Sequence, residues 1–152
     1  GYLPQKITLP ESMTGLQFFR FLADLRNRKS LEKAIRTADA FELDTSKKIR
    51  DLNQEEKKKL AIAGVFLHDP EVLLLDEPAA GMNPNETEEL MDMIKFVRDH
   101  FHMTILLIEH DMKLVSGICE QLTVLNFGEV LAQGDTSDVL NNPQVIKAYL
   151  GE

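Results

Sequence analysis

Over the first 70 residues the apolar positions recur at helical spacing. Pro4 and Pro10 exclude a regular helix from residues 1–12. Thr14 is placed to cap a helix to about Arg26, with Phe18, Leu22 and Leu25 on one face. Ser30 caps a second helix, in which Leu31, Ala34, Ile35, Ala38 and Phe41 recur at the same spacing. A polar stretch over residues 44–51 leads into a third helix over about residues 54–67, and Pro70 follows its end. The period then changes. Val72-Leu73-Leu74-Leu75 is an unbroken apolar run, too short for a helix, and it predicts a strand buried on both faces. Asn85 caps a helix through about Asp99, with Leu90, Ile94 and Val97 inward, and residues 103–108 form a second buried strand. Strand, helix and strand make a βαβ unit. A short helix over 111–119 follows, then a hairpin in which residues 122–125 and 130–132 flank Asn126-Phe127-Gly128-Glu129, then two short terminal helices. The pattern divides the chain into a helical region, 1–70, and an α/β region, 71–152.

The chemistry gathers at strand ends. The run Val72-Leu73-Leu74-Leu75 closes in Asp76-Glu77-Pro78, four apolar residues followed by two acids, which is the Walker B arrangement. A buried strand delivers such a carboxylate to its C-terminal edge, where α/β sheets bind ligands. There the first acid can hold a phosphate-bound Mg²⁺ and the second can orient or deprotonate an attacking water. An ordinary cap or turn uses the same residue types. The next predicted strand ends in Glu109-His110-Asp111, which puts a histidine at the same edge.

With these motifs, residues 71–152 closely resemble the nucleotide-binding domain of ABC transporters. The runs PEVLLLDEPAAGMNPNETEEL, TILLIEHDMKLV and NNPQVIKAYLGE are most similar to the ATPase subunits of branched-chain amino acid importers. Gly1-Tyr2-Leu3-Pro4-Gln5 looks like a Q-loop, and residues 13–51 resemble the helical subdomain that docks on the membrane-embedded partner. The implied fold is a partial ABC-type ATPase core, P-loop NTPase-like with a mostly parallel sheet, plus that subdomain. The resemblance implies two catalytic residues, Glu77 to polarise water and His110 as the switch histidine on the γ-phosphate. It implies that Asp76 serves Mg²⁺ through water and that Gln5 reaches the metal and the water. It also places Asn53 of the signature position, and Gly81 and Asn83 of the D-loop, near nucleotide and partner subunit. The implied cofactors are ATP and Mg²⁺, and the implied partners are transmembrane permease subunits. The implied place is the cytoplasm, peripheral to the inner face of the membrane.

Two departures from that pattern matter. No G-x-x-x-x-G-K-[ST] occurs, so the backbone cradle and lysine that grip phosphates are not in this sequence, which begins at the Q-loop. The signature position reads Leu52-Asn53-Gln54-Glu55-Glu56 in place of a serine and glycines. Two unit charges about 4 Å apart interact by about 4 kcal/mol at an effective dielectric near 20, so acids in that turn repel a phosphate. They suit a helix: Asn53 with Glu56 forms a capping box, and Glu55 can pair with Lys59. The expected function is therefore a fragment of an ABC transporter ATP-binding subunit that couples ATP hydrolysis to transport, with the isolated chain inactive. The alternative is a non-catalytic remnant or an engineered chimera of ABC ATPase parts with a structural or interaction role.

Composition narrows the remaining classes. The sequence is 43% hydrophobic with a net charge of −8, and the charge argues against a nucleic-acid partner. Residues 1–70 hold 13 Lys/Arg and 10 Asp/Glu, residues 71–152 hold 4 and 15. One cysteine excludes a disulfide framework and fits an intracellular chain, the first residues are not a signal peptide, and no apolar run spans a membrane. Lys57-Lys58-Lys59 reads as a solvated face, His100-x-His102 lacks further metal ligands, and Cys119 as a buried structural cysteine. A P-loop strand is expected beside the Val72 run. Its absence would leave that strand's edge bare, and a homo-oligomer, most simply a dimer, is expected to cover it.

Overall fold

The computed structural model of the chain describes residues 1–27, 30–68 and 70–150, the side chain of Leu150 excepted; Gly151 and Glu152, the end of the tail run, lie outside the described residues. Three helices occupy the first region. Thr14 caps α1, Gly15–Leu25, through a reciprocal box with Gln17. α1 buries Gly15, Phe18, Phe19 and Ala23, whereas Leu25 is exposed beyond the turn that packs. α2, Glu32–Ala40, has Leu31 rather than Ser30 as its cap residue, although the Ser30 hydroxyl accepts from Glu32 N at 3.3 Å. α3, Gln54–Val65, is capped by Asn53 and tightens into a 3₁₀ turn over Phe66–His68. Gly64 lets α1 approach: a Cβ there would lie 2.9 Å from Leu22 Cδ1. The polar stretch before α3 is tied down by backbone bonds from Leu16 N to Thr45 O and from Ile49 N to Met13 O.

The sheet draws on both regions. β1, Tyr2–Leu3, pairs in parallel with β2, Val72–Asp76, which pairs in parallel with β3, Thr104–Ile108. β2 is thus the central strand, with neighbours on both edges. This corrects the expectation of a bare edge at the Val72 run. The strand edges of this sheet without a strand partner among the described residues are the outer edges of β1 and β3. The faces also differ from expectation. Residues paired in register point to the same side of a sheet. Leu3, Leu73 and Leu75 are buried on one side, while Tyr2 (54% exposed), Val72 (48%), Leu106 (58%) and Ile108 (49%) lie open on the other. An apolar run does not distinguish a strand covered on two faces from one covered on one.

α4, Pro84–Phe101, crosses from β2 to β3 and buries Leu90, Met93, Ile94 and Val97. Its cap is Asn83, not Asn85: Pro84 occupies the first helical position, where a missing N–H costs nothing. Phe96 sits edge-on to Phe41 at 5.9 Å and stacked on His100 at 4.9 Å, so the histidine belongs to aromatic packing. Among the described residues no group of three or more His, Cys, Asp or Glu could hold a metal ion, and no helix is long and apolar enough to cross a membrane.

The chain forms two compact units, Gly1–Glu109 and His110–Glu152. This division differs from the change of pattern near residue 70, because β1 pairs with β2 across it. The second unit holds α5, Met112–Ile118, the antiparallel pair β4, Gln121–Asn126, and β5, Glu129–Asp135, then α6, Thr136–Leu140, and the short α7, Pro143–Val145. Its core includes Leu114, Val139 and Val145. Cys119 ends α5 half-buried, and burial raises its thiol pKa.

Candidate functional site

Parallel strands end at a common edge, and the carboxyl edge of β1 and β2 carries the acids. Asp76 is the last residue of β2 and Glu77 the first beyond it. Tyr2 lies on the same face as Leu74, two residues before Asp76, and its hydroxyl donates to Asp76 Oδ2 at 3.1 Å. That bond raises the phenol pKa, with desolvation and the Asp76 charge adding to it, so Tyr2 remains a donor. Gln5, from the loop after β1, donates through Nε2 to Glu77 Oε2. The structure therefore brings Gln5, Asp76 and Glu77 together.

The backbone after Asp76 turns sharply. Glu77 has φ +43°, a left-handed conformation that few residues with a side chain adopt, and its N–H donates to Ile108 O at 2.9 Å. Ala80 N donates to Glu77 O and Met82 N to Ala79 O, and Gly81 takes φ +74° with open space around its Cα. Asn83 then accepts from Asn85 N and Glu86 N at the start of α4, so its amide oxygen serves the helix.

Two further residues reach this turn. Lys58 of α3 donates through Nζ to Pro78 O, and Glu109, directly after β3, accepts from Ala79 N at 2.9 Å. The solvated face predicted for Lys57-Lys58-Lys59 does not hold for Lys58, which is half-buried against this turn, and Glu109 has no pattern signal of its own. A signal existed for Lys58: three successive helical residues fan over about 200°, so three lysines cannot all share one solvated face. Tyr2 was legible only through its register with β2.

His110 opens the second unit, followed by Asp111, which caps α5 by accepting from Lys113 N at 2.9 Å and Leu114 N at 3.1 Å. At the signature position Asn53 Oδ1 accepts from Glu56 N at 2.7 Å and Asn53 N donates to Glu56 Oε2 at 2.9 Å. Lys47 Nζ reaches Glu56 at 3.1 Å. The Asn53 backbone bond, followed by Lys47, lowers the Glu56 pKa against the opposing pull of burial. Glu55 pairs with Lys59. The Glu55 charge and a hydrogen bond to it raise the pKa of Glu89. Glu55, Lys59 and Glu89 line an open groove of about 430 Å³ with Phe41, Met93 and Phe96, and none of the sheet-edge acids is in it.

The donors at the edge are carboxylate and amide oxygens, the ligand class that Mg²⁺ takes in sites completed by phosphate. A carboxylate has about four acceptor positions, and the Tyr2 bond occupies one on Asp76. The residues present thus fit the metal side of a Mg²⁺–nucleotide. The glycine-rich cradle for its phosphates is not in the 152 residues.

A family described as branched-chain amino acid ATP-binding cassette transporter matches residues 129–152. The high-affinity branched-chain amino acid transport ATP-binding protein LivG of Salmonella typhimurium is 54% identical over 97 residues, which cover 64% of this chain and 38% of LivG. The methionine import ATP-binding protein MetN 1 of Bacillus anthracis is 31% identical over 140 residues, 92% of this chain and 38% of that protein. Among solved structures, cbiO1 from Clostridium perfringens, part of the ABC transporter complex cbiONQ, superposes with a TM-score of 0.77 at 28% identity, covering 90% of this chain and 56% of cbiO1. The chain spans 38% of the length of these curated relatives.

Proposed function

Since the chain belongs to the ABC transporter nucleotide-binding domains and is related to those of branched-chain amino acid importers, we propose that it is the part of an ATP-binding subunit that runs from the Q-loop onward. In that subunit it couples ATP hydrolysis to transport through permease subunits at the cytoplasmic face of a membrane. Residues 1–70 act as Q-loop, helical subdomain and signature helix, and residues 71–152 as the Walker B half of the ATPase core.

Mg²⁺–ATP, when bound, supplies the phosphoanhydride and the cation that polarises it. Glu77 accepts a hydrogen bond from the attacking water and aligns it. Gln5 holds the Glu77 carboxylate through its amide N–H, and its amide oxygen would help to hold the cation and the water. Asp76, its rotation restrained by Tyr2, would help to hold the Mg²⁺. His110 donates to the terminal phosphate. Gly81 and Asn83 carry the D-loop toward a second subunit. The reading is carried by one observation: the Gln5 amide on Glu77, beside Asp76, at the carboxyl edge of a parallel sheet.

The test uses the complete subunit. Glu77→Gln should lower turnover at least about 100-fold while Mg²⁺–ATP binding persists. Unchanged turnover would overturn the reading. The 152-residue chain alone, without a phosphate cradle, should bind Mg²⁺–ATP no more tightly than millimolar in isothermal titration.

A second reading has its own support at one position. Asn53 and Glu56 cap each other and Glu55 pairs with Lys59, so the first turn of α3 serves helix stability and opposes a phosphate. On this reading the chain keeps the fold and its contacts without closing on nucleotide at that turn. The match of one protein, MetN 1, to 92% of the chain lends no support to an assembly of unrelated parts.

A further inference from the structure

One peptide group beside Glu77 is held at both of its polar ends by opposite charges. Lys58 donates through Nζ to Pro78 O, and Ala79 N–H donates to Glu109 Oε1 at 2.9 Å. Pro78 C=O and Ala79 N–H are the two ends of the same planar amide. The two contacts therefore fix the orientation of one rigid object. A peptide group has a dipole of about 3.5 D, and a cation at its oxygen with an anion at its N–H both favour a single alignment. Hydrogen bonds with one ionised partner are about twice as strong as neutral ones.

The position needs such a hold. Glu77 has φ +43°, which disfavours a residue with a Cβ. Pro78 has no N–H to give to a strand or helix. The turn is otherwise tied by Glu77 N to Ile108 O at 2.9 Å and by Ala80 N to Glu77 O at 3.0 Å. Lys58 is half-buried. Burial lowers its pKa, while the charges of Glu109 and then Glu86 favour the ammonium. Glu109 thus acts twice, on the peptide and on the lysine that holds the other end.

We propose that Lys58 and Glu109 are positioning residues that bracket the Pro78–Ala79 peptide, so that the turn presents Glu77 at the sheet edge and moves with α3. The significance for catalysis rests on the reading of Glu77 given above. The bracket itself can be measured without nucleotide, so failure of one leaves the other standing. A displacement of α3 reaches the turn through one side chain, and a displacement of β3 reaches it through another.

Amide exchange followed by NMR on the 152-residue chain tests this. In Lys58→Met the Ala79 amide should exchange about tenfold faster, the size expected for one charge-assisted hydrogen bond, while Leu73 and Leu75 in β2 keep their protection. Lys58→Arg should restore protection at Ala79. Exchange at Ala79 unchanged in Lys58→Met, or equally fast in the Met and Arg variants, overturns the bracket. If Lys58→Met does not fold, the unaltered chain still decides. A through-hydrogen-bond coupling from the Ala79 nitrogen to the Glu109 side-chain carboxyl carbon is expected, and its absence overturns the proposal.

Discussion

Glu55 and Glu56 stand side by side in the first turn of α3, and both pair with a lysine, but Glu55 also meets the like charge of Glu89. Glu56 closes the box with Asn53 and meets Lys47, and its pKa is lowered. Glu56→Ala should cost about 1 kcal/mol. A carboxyl that binds its proton more weakly when folded contributes fully above its unfolded value, near 4.5 here, and loses that contribution as pH falls through the folded value. Thermal melts of Glu56→Gln should therefore differ from the unaltered chain at neutral pH and converge with it in acid. The Glu55–Glu89 contact has the other sign: Glu89 has a raised pKa, so its share of stability is present in acid and lost as pH rises through that value. Glu89→Gln should melt higher than the unaltered chain near neutral pH, with no gain in acid. At Glu77 the left-handed backbone makes its own prediction. Glu77→Gly should be more stable than Glu77→Ala by about 1 kcal/mol in chemical denaturation, because both lose the carboxylate and the alanine alone keeps the strain.

At the scale of elements, β2 and β3 have one working face. Leu75→Ala removes a side chain packed beneath the sheet and should cost about 2–5 kcal/mol, whereas Leu106→Ala on the open face should cost well under 1 kcal/mol, roughly the value of a surface change. Urea titrations of the two variants separate them. Periodicity made the helices, both long strands and the hairpin legible, and the two acids at the end of β2 marked the site. What it left out has physical causes. An apolar run records neighbours but not how many sheet faces they cover, so the open side of Leu106 and Ile108 was invisible. Asn83 and Asn85 are equally good caps by residue type, and Pro84 between them decides in favour of Asn83. β1 is two residues long, below the length at which alternation means anything, and only its pairing with β2 reveals it. Glu109 was passed over because its role is made by a backbone N–H thirty residues away.

At the scale of the molecule, the apolar open side of the sheet, Tyr2, Val72, Leu106 and Ile108, and the outer strand edges of β1 and β3, unpaired among the described residues, are surfaces on which a second copy can pack and pair. Light scattering on the 152-residue chain should give a mass above 17.2 kDa at high micromolar concentration, and replacing Leu106 and Ile108 by serine should bring it back to a monomer. The parallel sheet has a further consequence, in the order of events during folding. The edge contact between Gln5 and Glu77 joins residues 72 apart, whereas β4 and β5 turn directly into one another across Phe127-Gly128. Closing a longer loop costs more entropy before any contact repays it. The hairpin and the β2–α4–β3 unit should form before β1 is captured. In stopped-flow measurements Leu3→Ala should chiefly speed unfolding and Leu73→Ala should slow folding, so the edge that gathers Gln5, Asp76 and Glu77 is the last part of the sheet to assemble and the first to come apart.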